Sequence, residues 1–187
     1  MLDTFSAHSL KILEKSKDEF INTYEYKLKL YNLDKRSELG QKYHNLICAY
    51  IKGFDIDKMK LELEDEKIKI IDKFLSNLPR ENFIKTEYSF LVKEILKNKP
   101  YYLTGRFDAI YKDEDYYTIY DWKTLNLPKN AEFDLQTVVY LYCASKIFNT
   151  KKLKMRYVSI EKNDFLDLKY ENYDYKEKID KIIAKYY

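Results

Sequence analysis

The chain has few of the residues that interrupt or cross-link a fold, since its 187 residues include only three glycines, three prolines and two cysteines. Cys48 and Cys143 are far apart, and neither belongs to a C-x-x-C pair. This spacing argues against a zinc site built from thiolates and against a disulfide scaffold. We interpret both cysteines as small buried hydrophobic residues.

Long apolar runs and nucleotide-binding loops are also missing. No stretch reaches the roughly 18 uninterrupted apolar residues of a membrane span. The first twenty residues carry Asp3, Glu14 and Asp18, which is unlike a signal peptide. We therefore expect a soluble, cytoplasmic protein with no membrane partner. Without a G-x-x-x-x-G-K loop, any helicase or ATPase activity must come from another polypeptide.

The overall charge gives little guidance about partners. The formal net charge is +3, too small to indicate nucleic acid by itself. The 20 tyrosines accompany abundant lysine, isoleucine and asparagine, which we interpret as the translation of an AT-rich genome and not as a base-stacking surface. The length is enough for one domain with a substantial core.

The hydrophobic periodicity changes near Asn82. Before it, apolar spacing predicts three helices, at about 5–20, 37–53 and 58–75, with Ser6 or Ser9 as the first N-cap. After it, aromatic and β-branched runs predict strands at 83–92, 101–111, 116–123 and 154–160, and a further candidate at 165–170. A helix is expected at 132–148 and another from Tyr175. We predict a single α/β domain, 1–187, in which a helical cap (1–80) precedes a core (81–187) with a central mixed β-sheet flanked by helices and a C-terminal helix.

Two short segments carry the chemistry. Gly105-Arg106-Phe107-Asp108 ends an apolar run on a carboxylate, and Asp121-Trp122-Lys123 lies on the next run. Because side chains alternate along a strand, Asp121 and Lys123 share one face and Trp122 takes the other. If the runs pair as a hairpin, Asp108 can lie beside them. Two carboxylates and an ammonium are what hydrolysis of a phosphodiester with Mg²⁺ or Mn²⁺ requires.

Glu87, on the preceding strand, is a candidate further metal ligand or water-orienting group, with Glu94 as a rival. An Asp-x-Lys pair on a strand is also compatible with a solvated edge and an ion pair. The guanidinium of Arg106 could meet either a phosphate or a surface acid.

These segments, taken in order, resemble the PD-(D/E)xK nuclease superfamily in its RecB-like exonuclease branch. Gly105 to Asp108 resembles the G-x-x-D motif, and Ile119 to Thr124 resembles the hydrophobic-hydrophobic-D-x-K-T motif. Gln136 to Tyr140 is similar to the Q-x-x-x-Y motif, and Gly40 to His44 is similar to the G-x-x-x-H segment. The resemblance implies a restriction-endonuclease-like core.

The resemblance also implies roles for individual residues. Asp108 and Asp121 correspond to metal ligands, Lys123 to the catalytic lysine, and Glu87 to the acid of the first core strand. His44 and the carbonyl of Trp122 correspond to further ligands. Gln136 and Tyr140, four residues apart on one helix face, would contact DNA, with Arg106 as a third candidate. Alternatively, Gln136 could satisfy a helix-end carbonyl and Tyr140 could belong to the core.

The implied function is a Mg²⁺- or Mn²⁺-dependent deoxyribonuclease, with exonuclease action expected from the branch. Single- or double-stranded DNA is the expected partner, and a helicase or another DNA-processing subunit is a candidate second partner. The expected context is repair, recombination or phage or defence DNA processing. Many relatives hold an iron–sulfur cluster with one cysteine after the first helix and three near the C-terminus. Those cysteines are absent here, so we expect no cluster. A non-cleaving nucleic-acid-binding subunit and an RNA substrate remain alternatives.

Overall fold

The computed structural model describes residues 3–28, 35–171 and 174–187. The strands are β1 (Thr4–Ser6), β2 (Phe83–Leu96), β3 (Lys99–Lys112), β4 (Tyr117–Lys123), β5 (Leu153–Ser159) and β6 (Asp164–Lys169). The helices are α1 (Ala7–Lys15), α2 (Lys17–Phe20), α3 (Lys35–Ile51), α4 (Asp57–Lys60), α5 (Asp65–Ser76), α6 (Leu135–Phe148) and α7 (Tyr175–Ile183). A π-helical turn at Ile21–Glu25 follows α2, and a 3₁₀ turn at Ala131–Phe133 precedes α6.

The strands form one mixed six-stranded sheet. Its order is β1-β3-β4-β5-β6, and β2 also pairs with β3. Because β2 pairs with β3 along nearly its whole length, β1 and β4 share the other edge of β3, at opposite ends. β1 with β3 and β4 with β5 are parallel, and the remaining pairs are antiparallel. The predicted α/β fold with a central mixed sheet and flanking helices is confirmed.

Helices cover both faces of this sheet. On one face α1, α6 and α7 pack in a core that includes Phe5, Leu10, Val139 and Ile179. On the other face α3 and α5 pack on a smaller core. The buried side chains of this second core include Tyr43, Ile47, Phe74 and Trp122. Both helical layers bury apolar surface that the sheet alone would expose to water.

The N-terminal segment contains a short strand in addition to helices. β1 adds to the central sheet, and α1 packs against α6 and α7 on the first face, whereas α3 and α5 lie on the second. Ser6 caps α1, and it exchanges hydrogen bonds with Ser9 in a capping box. The helix expected at 58–75 is two helices, because Leu61 is 80 % exposed and the chain turns between α4 and α5.

The β2–β3 hairpin determines where the polar groups of the sheet point. Its turn, Lys97-Asn98, has positive φ at both residues, the conformation that matches the twist of a two-residue hairpin. Farther along, Phe107 packs in the first core but Ala109, two residues later, packs in the second. Side chains on β3 therefore change face at Asp108. Glu87, on β2, lies between Thr86 and Tyr88, which pair with Ala109 and Phe107 on either side of Asp108, and it has φ 53°.

Within the described ranges, no helix is long and apolar enough to cross a membrane.

Candidate active site

The site lies where β3 and β4 separate. The last paired residues of these strands are Ala109 and Tyr120, so the next backbone N–H groups of β4 have no ladder partner on β3. The Asp108 side chain takes over that function, because its Oδ2 accepts a 2.8 Å hydrogen bond from the backbone N–H of Trp122. This bond fixes a buried carboxylate beside the Asp121-Trp122-Lys123 segment.

Asp121 and Lys123 lie on the α6 side of β4, as the alternation of side chains predicts. Lys123 Nζ is 2.6 Å from Asp121 Oδ2 and donates to Gln136 Oε1 at 3.2 Å. The side-chain amide of Gln136 in turn donates to Asp121 Oδ1 at 2.5 Å. Trp122 points to the other face, where its ring packs edge-on against Phe74 of α5. Gln136 therefore contacts both the acid and the lysine, a role that the sequence analysis did not assign to it.

His44 reaches the site from α3 on the opposite face. Its Nε2 donates a 3.0 Å hydrogen bond to the carbonyl of Trp122, and its Nδ1 is 3.4 Å from Asp108 Oδ1. Four residues earlier, Gly40 faces Thr124, and a Cβ at Gly40 would lie 3.3 Å from the threonine Oγ1. The absence of a side chain lets α3 approach the end of β4. No role was predicted for Gly40 or Thr124 from the sequence, although both are present in the motifs.

Glu87 completes the group from β2. Its Oε2 is 2.7 Å from Arg106 Nη1, so the carboxylate that pairs with Arg106 belongs to the site and is not a separate surface acid. The backbone of Glu87 is left-handed inside a strand, a conformation that costs an L-residue energy and that the surroundings must impose. Ligand atoms of His44, Glu87 and Asp108 lie within 4.8 Å of one another. Glu94, the alternative acid, lies elsewhere, next to α6 and α7.

Tyr140 has a contact of a different kind. Its hydroxyl donates a 2.9 Å hydrogen bond to the carbonyl of Arg106, and its ring packs edge-on against Phe90 and Phe107. Gly105 makes room for these rings, since a Cβ there would lie 2.6 Å from Phe90 Cζ. In this structure Tyr140 supports the backbone next to the site.

Two buried carboxylates close together, Asp108 and Asp121, determine the electrostatics of the site. Burial raises the pKa of Asp121 to about 6, Lys123 opposes the rise, and the Asp108 carboxylate adds to it. Burial lowers the pKa of His44, but Asp108, the Trp122 carbonyl and the charge of Asp121 together raise it more, so the net direction is upward. The buried Oδ2 of Asp121 accepts no hydrogen bond from the described residues, although Lys123 Nζ lies near.

These groups fit a divalent cation. Carboxylate and carbonyl oxygens are the donors that Mg²⁺ and Mn²⁺ prefer, and an imidazole suits Mn²⁺ better than Mg²⁺. A cation would also neutralise the acids that burial disfavours in their charged form. The carbonyl of Trp122, which the resemblance implies as a ligand, here accepts from His44.

The structure thus brings together most of the predicted site residues. Five of them meet where β3 and β4 separate: Asp108, Asp121, Lys123, His44 and Glu87. Gln136 lies against Asp121 and Lys123. Arg106 and Tyr140 lie at the border of this group.

The family comparison adds an independent observation. A family model of the PD-(D/E)XK nuclease superfamily matches residues 68–186, which is more than half of the chain. The chain belongs to the PD-(D/E)XK nuclease superfamily. The matched segment contains Glu87, Asp108, Asp121 and Lys123, whereas His44 lies outside it.

A solved structure shares the fold. The fold is similar to that in the crystal structure of SSO0001, with a TM-score of 0.57, 16 % sequence identity and coverage of 100 % of this chain and 76 % of that one. At this identity the likeness shows the fold alone, and the architecture fits a restriction-endonuclease-like core. A comparison with curated proteins finds no match.

Membership in the superfamily implies a nuclease, a hydrolase of nucleic acid that uses divalent metal ions. The two cysteines do not form a cluster. Cys48 donates to the hydroxyl of Thr86 beneath α3, and Cys143 is buried in the first core.

Proposed function

We propose that the protein is a Mg²⁺- or Mn²⁺-dependent deoxyribonuclease of the RecB-like branch. The observation that carries the proposal is the convergence of Asp108, Asp121 and Lys123 with His44 at the point where β3 and β4 separate. An ordinary solvated edge would not bury two acids, and both are buried here.

In this proposal Asp108, Asp121, His44 and Glu87 hold the cation, with the carbonyl of Trp122 as a further donor. A bound divalent cation supplies positive charge against the phosphate and increases the acidity of a nearby water. Asp108 is held in place by the backbone of Trp122, and Asp121 by Gln136, so neither carboxylate needs to reorganise during the reaction.

Lys123 stabilises charge at phosphorus and orients the attacking water. Its Nζ is held between Asp121 and Gln136, which limits its freedom and directs the ammonium toward the acids. The water oxygen forms a bond to phosphorus in line, and the bond from phosphorus to the 3′ oxygen breaks. The products are a 5′-phosphate and a 3′-hydroxyl, and the proton lost by the water is recovered by the leaving oxygen through solvent.

DNA is the proposed substrate, and exonuclease action is the proposed mode. Both follow from the resemblance of the motifs to the RecB-like branch. The proposed context is DNA repair, recombination or phage or defence DNA processing, with a helicase or another DNA-processing subunit as a partner that supplies strand separation.

The test is cleavage of end-labelled and circular DNA, single- and double-stranded, with an RNA of the same sequence for comparison. We expect Mn²⁺-dependent loss of linear DNA, no reaction with EDTA, and little reaction on covalently closed circles. Lys123→Gln should abolish cleavage, and Lys58→Gln, which removes the same charge from an exposed position, should not. A protein that cleaves none of these substrates, or a fully active Lys123→Gln, would contradict the proposal.

A further inference from the structure

Glu87 faces two competing kinds of partner. Its carboxylate is paired with the guanidinium of Arg106 at 2.7 Å. The same carboxylate has a ligand atom within 4.8 Å of those of His44 and Asp108. A guanidinium and a divalent cation repel each other, so a carboxylate held by Arg106 is a weaker ligand for a metal ion than a released one.

Arg106 is placed so that a phosphate can compete for it. Its backbone carbonyl is held by the Tyr140 hydroxyl, whereas its side chain is 48 % exposed. Guanidinium groups bind phosphate oxygens in the same paired geometry in which they bind carboxylates. An arriving phosphodiester can therefore take the guanidinium from Glu87 without any movement of the strand.

We propose that Arg106 is a positioning residue that exchanges partners: it holds Glu87 while nucleic acid is absent and releases it to the cation site when a phosphate binds. The inference rests on the proposed function and specifies how that site is completed. Cation and nucleic acid then bind cooperatively, and by linkage each raises the affinity for the other by the same factor.

A purely structural role for Arg106 predicts the opposite sign. If the ion pair only oriented Glu87 toward the cation, loss of Arg106 would weaken metal binding. If Arg106 restrains Glu87, its loss should strengthen metal binding in the absence of nucleic acid. The size of the effect is bounded by the strength of a half-exposed ion pair, which corresponds to about fivefold in affinity.

The experiment is calorimetric titration of Mn²⁺ into the full chain and three variants: Arg106→Gln, Glu87→Gln and the double variant. Arg106→Gln should bind Mn²⁺ about fivefold more tightly than the parent, and Glu87→Gln about tenfold more weakly. The effect of Arg106→Gln should disappear in the Glu87→Gln background, because it acts through that carboxylate. Lys93→Gln removes an exposed charge from the same hairpin and is the matched control.

A second titration measures the coupling directly. With a saturating phosphorothioate hexathymidylate, the parent should bind Mn²⁺ more tightly, whereas Arg106→Gln should show no further gain. Unchanged or weaker Mn²⁺ binding by Arg106→Gln overturns the inference. The inference is also overturned if Arg106→Gln strengthens Mn²⁺ binding equally in the parent and in the Glu87→Gln background, because that result would indicate long-range repulsion between Arg106 and the cation. A parent protein that binds no Mn²⁺ overturns the proposed function itself. Circular dichroism of each variant checks that the fold is retained. Glu87→Gln alone should also lose the coupling between oligonucleotide binding and Mn²⁺ binding, which tests the inference with a different substitution.

Discussion

Glu87 and Glu94 are two glutamates on the same strand, seven residues apart, with opposite surroundings. Glu94 accepts from the Tyr142 hydroxyl and is approached by Lys146 at 3.2 Å and Lys176 at 4.0 Å. Glu87 has Arg106 on one side and the acid Asp108 with His44 on the other. The first carboxylate is satisfied by donors that tie β2 to α6 and α7. The second is placed beside another acid, which is costly unless a cation joins them.

The comparison shows how the fold separates a structural acid from a candidate functional one. An acid surrounded by lysines and hydroxyls stabilises the packing of its elements and has no capacity left for a ligand. An acid beside a second acid is stable only when positive charge is supplied, and that charge can come from outside. Four pairs of substitutions test this distinction.

The largest difference is expected between Asp108→Asn and Asp180→Asn. Asp108 adjoins Glu87, whereas Asp180 adjoins Glu94 through Lys176 and accepts from the Tyr101 hydroxyl at 2.6 Å. Asp108→Asn should lower the rate of cleavage about 10³-fold, since it removes a charge aimed at the reaction. Its amide oxygen can still accept from the Trp122 backbone, so thermal unfolding should change little.

Asp180→Asn should do the reverse. Cleavage should be unchanged, and the free energy of unfolding should fall by about 1–3 kcal/mol, because Lys176 and Tyr101 lose a charged acceptor. Comparable activity of the two variants in a single-turnover assay would contradict the distinction.

The next pair is Glu87→Gln against Glu94→Gln. Glu87→Gln should lower cleavage by about 10- to 100-fold at limiting Mn²⁺ while leaving stability nearly unchanged. Glu94→Gln should lower the free energy of unfolding by about 1–3 kcal/mol and leave cleavage intact. Denaturant titration and cleavage at several Mn²⁺ concentrations measure both quantities. Restoration of the Glu87→Gln rate by high Mn²⁺ would indicate a ligand rather than a proton-transfer group.

The third pair tests the part of β2 between Glu87 and Glu94. Phe90 lies in this part and pairs with Gly105 on β3. Gly105→Ala brings a Cβ to within 2.6 Å of the Phe90 ring and 3.2 Å of the Tyr140 ring. Crowding of this kind should lower the free energy of unfolding by about 1–3 kcal/mol. Because Tyr140 holds the Arg106 backbone, Mn²⁺ affinity should change as well. Gly53→Ala, at a helix end with φ 78° and open space around it, is the control for strain without crowding.

The last pair replaces each glutamate by glycine, and the change in stability expected at Glu87 is small. Glu87 has φ 53°, a conformation that glycine adopts without strain. Glu87→Gly should therefore raise the free energy of unfolding by about 1 kcal/mol while impairing cleavage. Glu94→Gly, at a residue outside the left-handed region, should lower it. A destabilised Glu87→Gly would mean that the glutamate side chain contributes more to the fold than its backbone costs.

Local patterns in the sequence predicted most of the core. β3, β4 and α6 are long enough for alternation and helical spacing to be visible, and Ser6 with Ser9 marked the start of α1. β1 was missed because its three residues form a strand only by pairing with residues 102–104, a hundred positions away. The break between α4 and α5 was missed because Leu61 continues the apolar spacing although it is exposed.

In the candidate site, too, local patterns predicted some features, whereas contacts between distant segments could not be predicted. Period-two alternation placed Asp121 and Lys123 on one face, and the order of the motifs brought Asp108 and His44 near them. The pairing of Arg106 with Glu87 could not be predicted, because it depends on the change of face at Asp108 and the left-handed backbone of Glu87. Neither feature leaves a periodic signal. The contact of Gln136 with both Asp121 and Lys123 likewise requires the packing of α6 on β4.

The change of face at Glu87 and Asp108 also restricts how this hairpin can vary among related sequences. Phe107 and Ala109 belong to different cores although they are two positions apart, a spacing that normally puts side chains on the same face of a strand. A single-residue deletion between Asp108 and the hairpin turn would exchange the inward and outward residues of one strand and leave its partner unchanged. Length changes should therefore accumulate at Lys97-Asn98, or occur in compensating pairs across the two strands. In an alignment of relatives, the phase of hydrophobic alternation should reverse at the same place in both strands, which gives a way to locate the metal-facing acids when no motif is recognisable.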